Sequence, residues 1–249
     1  MKFLLHFAKH IAFSMTNTWS LQTLAYARSP YRQKFAIPRQ PGLVKHAVGT
    51  IEFLPEFNHE DFVRGLDDFS HLWIHFIFHE TVKKGWSPLV RPPRLGGNVR
   101  KGVFATRSTF RPNPIGLSVV ELIDIEYRPN LRLKVRGLDL LDHTPVIDVK
   151  PYLPYADAYP NARGGYADHR PTTGLRTEFS TEALHQIAQE QIEFPHLKAF
   201  IEEVLAQDPR PAYQKDAHLA KDYGMHLYHF NIKWRVEDNL NYVFSIEAE

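Results

Sequence analysis

The stretch SHLWIHFIFH, residues 70–79, alternates its side chains with a period of two residues. One face of an extended chain would carry Leu72, Ile74, Phe76 and Phe78. The opposite face would carry His71, Trp73, His75, Ile77 and His79. This pattern is typical of a β-strand that turns one face toward a core.

Similar strand-like stretches recur along the first two thirds of the chain, at residues 43–54, 102–108, 116–127, 132–141 and 145–152. No helical periodicity separates them, which favours a closed or nearly closed antiparallel barrel over a parallel doubly wound sheet. The sequence also contains no G-x-G-x-x-G motif, so the usual Rossmann cofactor turn is missing.

The last third of the chain has a different pattern. Residues 154–178 are rich in Pro, Gly, Tyr and Ala, as in a long loop, and a helix is expected after Ser180 or Thr181. A second helical pattern at residues 194–209 precedes the strand-like segments LYHFNIKWRV and YVFSIE. We therefore expect three parts: an extension (1–21), a β-barrel domain (22–165) and a small α+β domain (175–249).

Composition excludes several classes of protein. The chain has no cysteine, which rules out disulfides, thiolate zinc sites and a cysteine nucleophile. No apolar run approaches the roughly 18 residues that a membrane span needs. Residues 1–14 are basic and amphipathic but lack a signal-peptide core, and Met15 is an alternative start to Met1. We expect a cytoplasmic protein without membrane contact.

Basic residues are concentrated in two segments. Residues 1–51 hold seven Lys/Arg and residues 81–120 hold eight, with no acid in either segment, and the whole chain has 30 basic residues. Clustered like charge suggests an anionic partner such as nucleic acid. The alternative is a solvated basic face without a partner.

The segment RPPRLGGNVRKGVFATRSTFRPNPIGLS, residues 91–118, combines five arginines with four prolines and four glycines. Prolines and glycines fix the path of a loop, and guanidinium groups bind phosphates or carboxylates along it. Asn113 lies between two prolines, which hold it extended and able to present its amide to a base edge or a cofactor. A rigid surface loop with solvated arginines is the alternative.

Two other segments carry candidate functional groups. Residues 27–42 (ARSPYRQKFAIPRQPG) form a second proline-rich, basic stretch, and residues 137–152 place Asp139 and Asp142 at a strand end. Such carboxylates bind ribose hydroxyls or an exocyclic amine in some proteins, but more often they bond their own backbone in turns. His71, His75 and His79 also have the spacing of metal ligands, but no carboxylate accompanies them, so we expect no metal site.

These segments together resemble the signature motifs of the TsaA-like family, also called TrmO or YaeB. The similar runs are RSPYRQKFAIPRQPGL, GLDDFSHLWIHFIFHE, GVFATRSTFRPNPIGLSVVEL and LDLLDHTPVIDVKPYLPYAD, within residues 22–160. VLAQDPRPAY resembles the extra C-terminal domain of longer bacterial members. The resemblance implies a single-sheeted β-barrel methyltransferase that uses S-adenosylmethionine, forms a homodimer and methylates N6 of threonylcarbamoyladenosine beside the tRNA anticodon, at position 37.

The resemblance also implies which residues bind the cofactor: Pro38, Arg39, Gln40, His79, Glu80, Arg107, Leu117, Leu138 and Asp139. We expect tRNA to be bound by the arginine-rich segment 91–118, through Arg94, Arg100, Lys101, Arg111 and Asn113. No residue in the sequence is a clear candidate for a general base. Many family members have glycine where this chain has His143, so a turn that needs positive φ would be strained here.

Three rival functions remain open. A non-catalytic RNA-binding barrel module would use the basic loops without a cofactor, and a barrel metalloenzyme would use the histidine strand. A methyltransferase acting on a small metabolite would not need the basic loops.

Overall fold

The computed structural model of the protein describes residues 18–171, 175–210 and 220–249. Most of the predicted N-terminal extension, and with it the choice between Met1 and Met15, lies outside the described residues.

Eight strands precede residue 152 in the part of the chain that the structure describes. They are β1 (Ala25–Arg28), β2 (Val48–Phe53), β3 (His71–Ile77), β4 (Leu89–Val90), β5 (Lys101–Gly102), β6 (Ile115–Glu126), β7 (Arg132–Arg136) and β8 (Thr144–Pro151). Six of them close into a barrel in the order β1-β2-β7-β6-β3-β8 with antiparallel neighbours. Two four-residue helices, α1 (His79–Val82) and α2 (Pro154–Asp157), follow β3 and β8. The predicted mainly β barrel is confirmed.

The period-two pattern of β3 determines which side chains fill the barrel. Leu72, Ile74 and Phe76 point inward and are buried, as the sequence predicts. The Phe76 ring lies against Gly116 of β6, where an added Cβ would come within 2.4 Å of it. Any larger residue at position 116 would therefore collide with the core.

One strand prediction was wrong. Residues 102–108 form only the end of the two-residue strand β5, followed by a 3-10 turn at Val103–Ala105. The Thr106 hydroxyl donates to the Val103 carbonyl oxygen at 2.8 Å, and the Val103 N–H donates to the carbonyl of Pro88. The local Thr106 bond thus satisfies a backbone carbonyl that a strand would have paired with a neighbour.

Three long connections leave the same end of the barrel. They are residues 29–47 between β1 and β2, residues 78–114 between β3 and β6, and residues 137–143 between β7 and β8. This follows from the antiparallel order, because β1, β3 and β7 end where β2, β6 and β8 begin. We call this end the barrel mouth.

The C-terminal unit comprises β9 (Arg176–Phe179), α3 (Thr181–Gln189), α4 (Leu197–Leu205), β10 (Lys221–Leu227), β11 (Phe230–Glu237) and β12 (Leu240–Ala248). Its sheet has the order β10-β11-β12-β9, with β9 parallel to β12. As predicted, Ser180 caps α3, its Oγ accepting the Ala183 N–H at 3.0 Å. No helix within the described residues has the length and apolarity to cross a membrane.

The core of the C-terminal unit extends into the first barrel connection. Its buried side chains from α4 and the sheet pack with Tyr31, Ala36, Val44 and Ala47. The 29–47 connection thus lies between the barrel and the C-terminal unit and belongs structurally to both.

Candidate active site

The first wall of the candidate site is the segment 38–42, within the connection between β1 and β2. The Gly42 N–H donates to the carbonyl of Gly137 at 3.0 Å, and the Gly137 N–H donates to Ala47 O at 2.9 Å. Gly137 has φ +84°, a conformation that ends β7 and turns the chain across the mouth. In this segment Pro38 is buried, Gln40 is half-buried and Arg39 is exposed.

The second wall is the loop between β3 and β6. Arg107 is exposed in this loop, and its Nη1 donates to Oε1 of Gln40 at 2.6 Å. Two residues that the resemblance assigns to the cofactor are therefore in direct contact, although they come from different loops.

The floor of the mouth contains a hydrogen-bonded pair. Ser118 is buried on β6, and its Oγ lies 2.5 Å from Oδ1 of Asp139, which follows β7. Burial raises the pKa of Asp139 from 3.8 to about 6, against the lowering effects of the Ser118 hydrogen bond and the Arg107 charge. The carboxylate therefore changes its charge close to neutral pH and favours a cationic or hydrogen-bond-donating neighbour.

Two leucines at the mouth differ in what they offer a ligand. Leu117 on β6 is 41% exposed, so its side chain is available to an apolar group. Leu138 is completely buried, and its Cδ1 would lie 2.5 Å from a Cβ added to Gly49. We infer that Leu138 shapes the mouth through packing and leaves only its backbone for contact.

His79 and Glu80 begin α1 directly after β3. The Phe78 N–H donates to the carbonyl of Pro114 at 2.8 Å, which places both residues beside the start of β6. The His79 side chain is 29% exposed and its Nε2 lies 3.5 Å from a Glu80 carboxylate oxygen. Both residues belong to the same connection as Arg107, between β3 and β6.

The cations predicted to bind tRNA are in the loop between β3 and β6. Arg100 and Lys101 are exposed, and the Arg94 guanidinium donates to the backbone carbonyl of His169. Asn113 is exposed, and its carbonyl accepts the Ile115 N–H at 2.7 Å, which fixes the chain at the entry to β6.

Arg111 lies underneath this loop and organises it. Its Nη1 donates to the carbonyl of Thr106 at 2.8 Å and to that of Val103 at 3.4 Å. The guanidinium carbon also lies 5.9 Å from the ring centre of Phe104, which is 78% exposed. An aromatic ring is thus displayed to solvent and supported by a cation.

Asp142 has a structural role across the mouth. Its Oδ1 accepts the Ser29 N–H at 2.9 Å, and its Oδ2 accepts from Nη1 of Arg32 at 2.8 Å. These bonds connect the end of β1 to the turn before β8 instead of closing a local turn. The neighbouring His143 has φ +61°, the left-handed conformation considered for this turn.

Among the described residues no group of three or more His, Asp or Glu side chains could hold a metal ion. His75 is half-buried. Burial lowers the pKa of its imidazole, and the positive charge of Lys150 lowers it further.

Two residues of the candidate site, Ser118 and Phe104, were not singled out from the sequence. Ser118 shares the inward face of β6 with Gly116 and Val120, so strict alternation along GLSVVEL would have located it. Phe104 was assigned to a strand, and its exposure depends on the turn that replaces that strand.

Comparison with known proteins gives consistent matches. Residues 26–158 match the family model described as the tRNA-methyltransferase O N-terminal domain, and residues 172–249 match the TrmO C-terminal domain. The chain is 50% identical over 232 residues to the tRNA (adenine(37)-N6)-methyltransferase of Escherichia coli K12, covering 93% of this chain and 99% of that protein.

Further relatives agree. A putative S-adenosylmethionine-dependent methyltransferase, RcsF, of Pseudomonas aeruginosa is 47% identical over 87% of this chain and 92% of its own length. The crystal structure of TrmO from Pseudomonas aeruginosa superimposes with a TM-score of 0.77 at 39% identity, covering 93% of this chain and 99% of that one.

Proposed function

This chain belongs to the TrmO family, and from that membership we propose that it transfers a methyl group from S-adenosylmethionine to N6 of adenosine 37 in tRNA. It is an S-adenosylmethionine-dependent tRNA (adenine-N6)-methyltransferase. The observation that carries the proposal is the contact between Gln40 and Arg107, which joins two of the three loops at the barrel mouth.

We assign cofactor binding to the residues around that contact, namely Pro38, Arg39, Gln40, His79, Glu80, Arg107, Leu117, Leu138 and Asp139. The groups present suit a cationic nucleoside: a partly buried carboxylate at Asp139, an amide at Gln40 and an apolar side chain at Leu117. When bound, S-adenosylmethionine supplies a methyl group on a sulfonium cation, from which a neutral thioether is a good leaving group. The residues of the mouth therefore contribute mainly by orientation and by opposing charge.

We assign tRNA binding to the loop between β3 and β6, through Arg94, Arg100, Lys101, Arg111 and Asn113. Exposed cations neutralise backbone phosphates, and an exposed aromatic ring stacks on an unpaired base. Phe104 supplies such a ring three residues before Arg107. The anticodon loop would then approach the same mouth as the cofactor.

We further propose that the acceptor adenosine carries a threonylcarbamoyl group on N6. The nitrogen of such a group is a poor nucleophile, because its lone pair is delocalised between adenine and a carbonyl. The threonyl carboxylate is a suitable partner for a guanidinium of the loop between β3 and β6. That contact would hold the N6 nitrogen in line with the methyl donor.

We propose that the enzyme works as a homodimer in the cytoplasm. Trp86 and Leu89 are 62% and 51% exposed in the loop between β3 and β6, and exposed apolar side chains near a site support a contact surface. A cytoplasmic location is consistent with an enzyme whose substrate is tRNA.

The test is methyl transfer by the full chain to tRNA isolated from cells that lack this activity. Nucleoside mass spectrometry should show one methyl group at N6 of adenosine 37, formed only with S-adenosylmethionine. Titration calorimetry separates the rival RNA-binding module, because a module without a cofactor would bind tRNA and give no heat with S-adenosylmethionine. Transfer to tRNA lacking threonylcarbamoyl would refute the finer assignment alone.

A further inference from the structure

We propose that the C-terminal unit holds the loop between β1 and β2 in its cofactor-binding shape, with Glu203 as a positioning residue for S-adenosylmethionine. The inference rests on the proposed function, because it names a second determinant of the same cofactor site. We call residues 29–47 the cofactor loop.

The cofactor loop has little structure of its own. Its single helical turn, Lys34–Ala36, is a 3-10 turn without a side-chain cap, and the loop then passes through turns and bends to β2. A segment of this kind has backbone donors and acceptors that must find partners outside the loop. Two of these partners come from the C-terminal unit: Glu203 accepts the His46 N–H, and the Tyr228 N–H donates to the Pro30 carbonyl.

Glu203 of α4 provides the most specific contact. One carboxylate oxygen accepts the backbone N–H of His46 at 2.9 Å, and the other lies 3.0 Å from Nδ1 of the same histidine. The glutamate side chain is 25% exposed, so water screens this pair only in part. A two-point contact of this kind fixes both the backbone and the ring of His46.

Tyr228 fixes both ends of the same loop. Its hydroxyl donates to Val48 O at 2.9 Å where β2 begins, and its N–H donates to Pro30 O at 2.8 Å where β1 has ended. Nε of Arg32 donates to the Tyr228 carbonyl at 3.1 Å. The side chain of Gln33 adds a bond, its Oε1 accepting the N–H of His226 at 3.3 Å.

Apolar packing completes the attachment. Tyr31 and Val44 of the loop are fully buried in the core of the C-terminal unit, and the Tyr31 ring lies 6.0 Å from that of Phe200. Between these anchors the loop crosses the barrel mouth, where Gly42 bonds to Gly137 and Gln40 bonds to Arg107.

In the part of the chain that the structure describes, Glu203 hydrogen-bonds His46 of the cofactor loop and none of the residues that we assign to the cofactor. Glu203 bonds the loop at His46, four residues beyond the Gly42 bond that places Gln40 beside Arg107. If the cofactor binds one loop shape, its apparent affinity scales with the fraction of molecules in that shape. Loss of the Glu203 contact should lower that fraction without altering any group at the mouth.

The experiment compares Glu203→Ala, Glu203→Gln and Glu202→Ala in the full chain by calorimetric titration with S-adenosylmethionine. Loss of a carboxylate hydrogen bond should weaken binding about three- to tenfold for E203A. E203Q keeps an acceptor for the His46 N–H and should restore most of the affinity. E202A removes a half-exposed carboxylate that pairs with Lys198 on the same helix, and it should bind as the unaltered protein does.

Steady-state kinetics gives the second readout. E203A should raise KM for S-adenosylmethionine while leaving kcat at saturating cofactor and KM for tRNA within about twofold. Equal affinity of folded E203A and the unaltered protein would overturn the inference, as would an equal loss in E202A. If E203A fails to fold, Tyr228→Phe decides, since it removes only the hydroxyl bond to Val48: weaker cofactor binding supports the inference and unchanged binding refutes it.

These outcomes are separate from those that test the proposed function. An unaltered protein that binds no S-adenosylmethionine would refute the function itself. An unaltered protein that binds it, with E203A binding equally well, would refute only the role of the C-terminal unit.

Discussion

Nη1 of Arg107 and Oε1 of Gln40 lie 2.6 Å apart, although 67 residues separate them in the chain. The bond joins a loop that leaves β3 to a loop that leaves β1, and it crosses the mouth of the barrel. Because Arg107 is exposed, the bond alone adds little to stability. Its significance is geometric, since it holds the Gln40 amide against the guanidinium whose charge also lowers the pKa of Asp139.

Arg107→Ala should therefore damage cofactor binding more than folding. We expect the affinity for S-adenosylmethionine to fall about tenfold or more, because the substitution removes a charged donor and releases Gln40. The thermal midpoint should change by no more than about 2 °C, as for most exposed substitutions. Calorimetric titration and thermal denaturation measure the two effects.

Arg64→Ala is the matched control for that variant. Arg64 is also exposed, pairs with Asp61, and lies in the connection between β2 and β3 at the opposite end of the barrel. Its loss should leave cofactor affinity unchanged. If R107A binds S-adenosylmethionine as tightly as R64A does, Arg107 does not belong to the cofactor site.

Cofactor binding should also depend on the ionisation of Asp139. Its pKa is raised to about 6 by burial, so the carboxylate is charged at pH 7.5 and mostly protonated at pH 5. If the charged form holds a cationic group of the cofactor, affinity should fall about tenfold between these pH values. Asp139→Asn should bind weakly at both, and an unchanged pH dependence in this variant would assign the effect to another group.

Stability gives an independent check on the same carboxylate. A folded-state pKa above the ordinary 3.8 means that the folded protein holds a proton which the unfolded chain has already released between about pH 4 and 6. The contribution of Asp139 to stability should therefore fall as pH rises through that window. D139N should lose this dependence and be more stable than the unaltered protein at pH 8, measured by urea unfolding.

The barrel could be predicted from the sequence because β3 and the first half of β6 alternate with a period of two. In β3 each inward position is Leu, Ile or Phe, and the same rule would have placed Ser118 inward on β6. Period two did not apply to residues 102–108, because a threonine hydroxyl can satisfy the carbonyl that a strand would have paired. Local side-chain hydrogen bonds of this kind leave little trace in hydrophobic periodicity.

Contacts between loops could not be predicted in the same way. The bond between Gln40 and Arg107 exists because β1 and β3 end on the same side of a closed sheet, which requires the full strand order. The bond between His46 and Glu203 requires in addition the docking of α4 on the cofactor loop. Neither residue pair has a spacing or pattern that would reveal it.

Binding of tRNA should weaken steeply with salt. If Arg94, Arg100 and Lys101 neutralise phosphates, the logarithm of the binding constant should fall linearly with the logarithm of salt concentration. Removing both cations in Arg100→Ala/Lys101→Ala should reduce the magnitude of that slope by about 1 to 2. Filter binding between 50 and 300 mM salt measures it, and a flat profile for the unaltered protein would remove this loop from the interface.

The contribution of Phe104 to tRNA binding should not depend on salt concentration. Phe104→Ala removes an exposed ring that is supported by Arg111, so we expect tRNA affinity to fall about five- to a hundredfold, as for loss of one stacked base. The salt slope should match that of the unaltered protein, because no charge is lost. Phe104→Tyr keeps a stacking face and should bind nearly normally, whereas equal tRNA binding by F104A would show that no base rests on this ring.

His143 tests whether the turn before β8 needs the left-handed conformation. Its φ is +61°, which glycine adopts freely and which costs a β-branched residue about 1–3 kcal/mol. His143→Val should therefore lower the free energy of unfolding by that amount, while His143→Gly should leave it within about 1 kcal/mol. The glycine variant loses the contact between His143 and the guanidinium of Arg28, so its relief of backbone strain is partly offset. Urea unfolding of both variants decides the point, and equal stability of H143V and H143G would show that the turn adapts without strain.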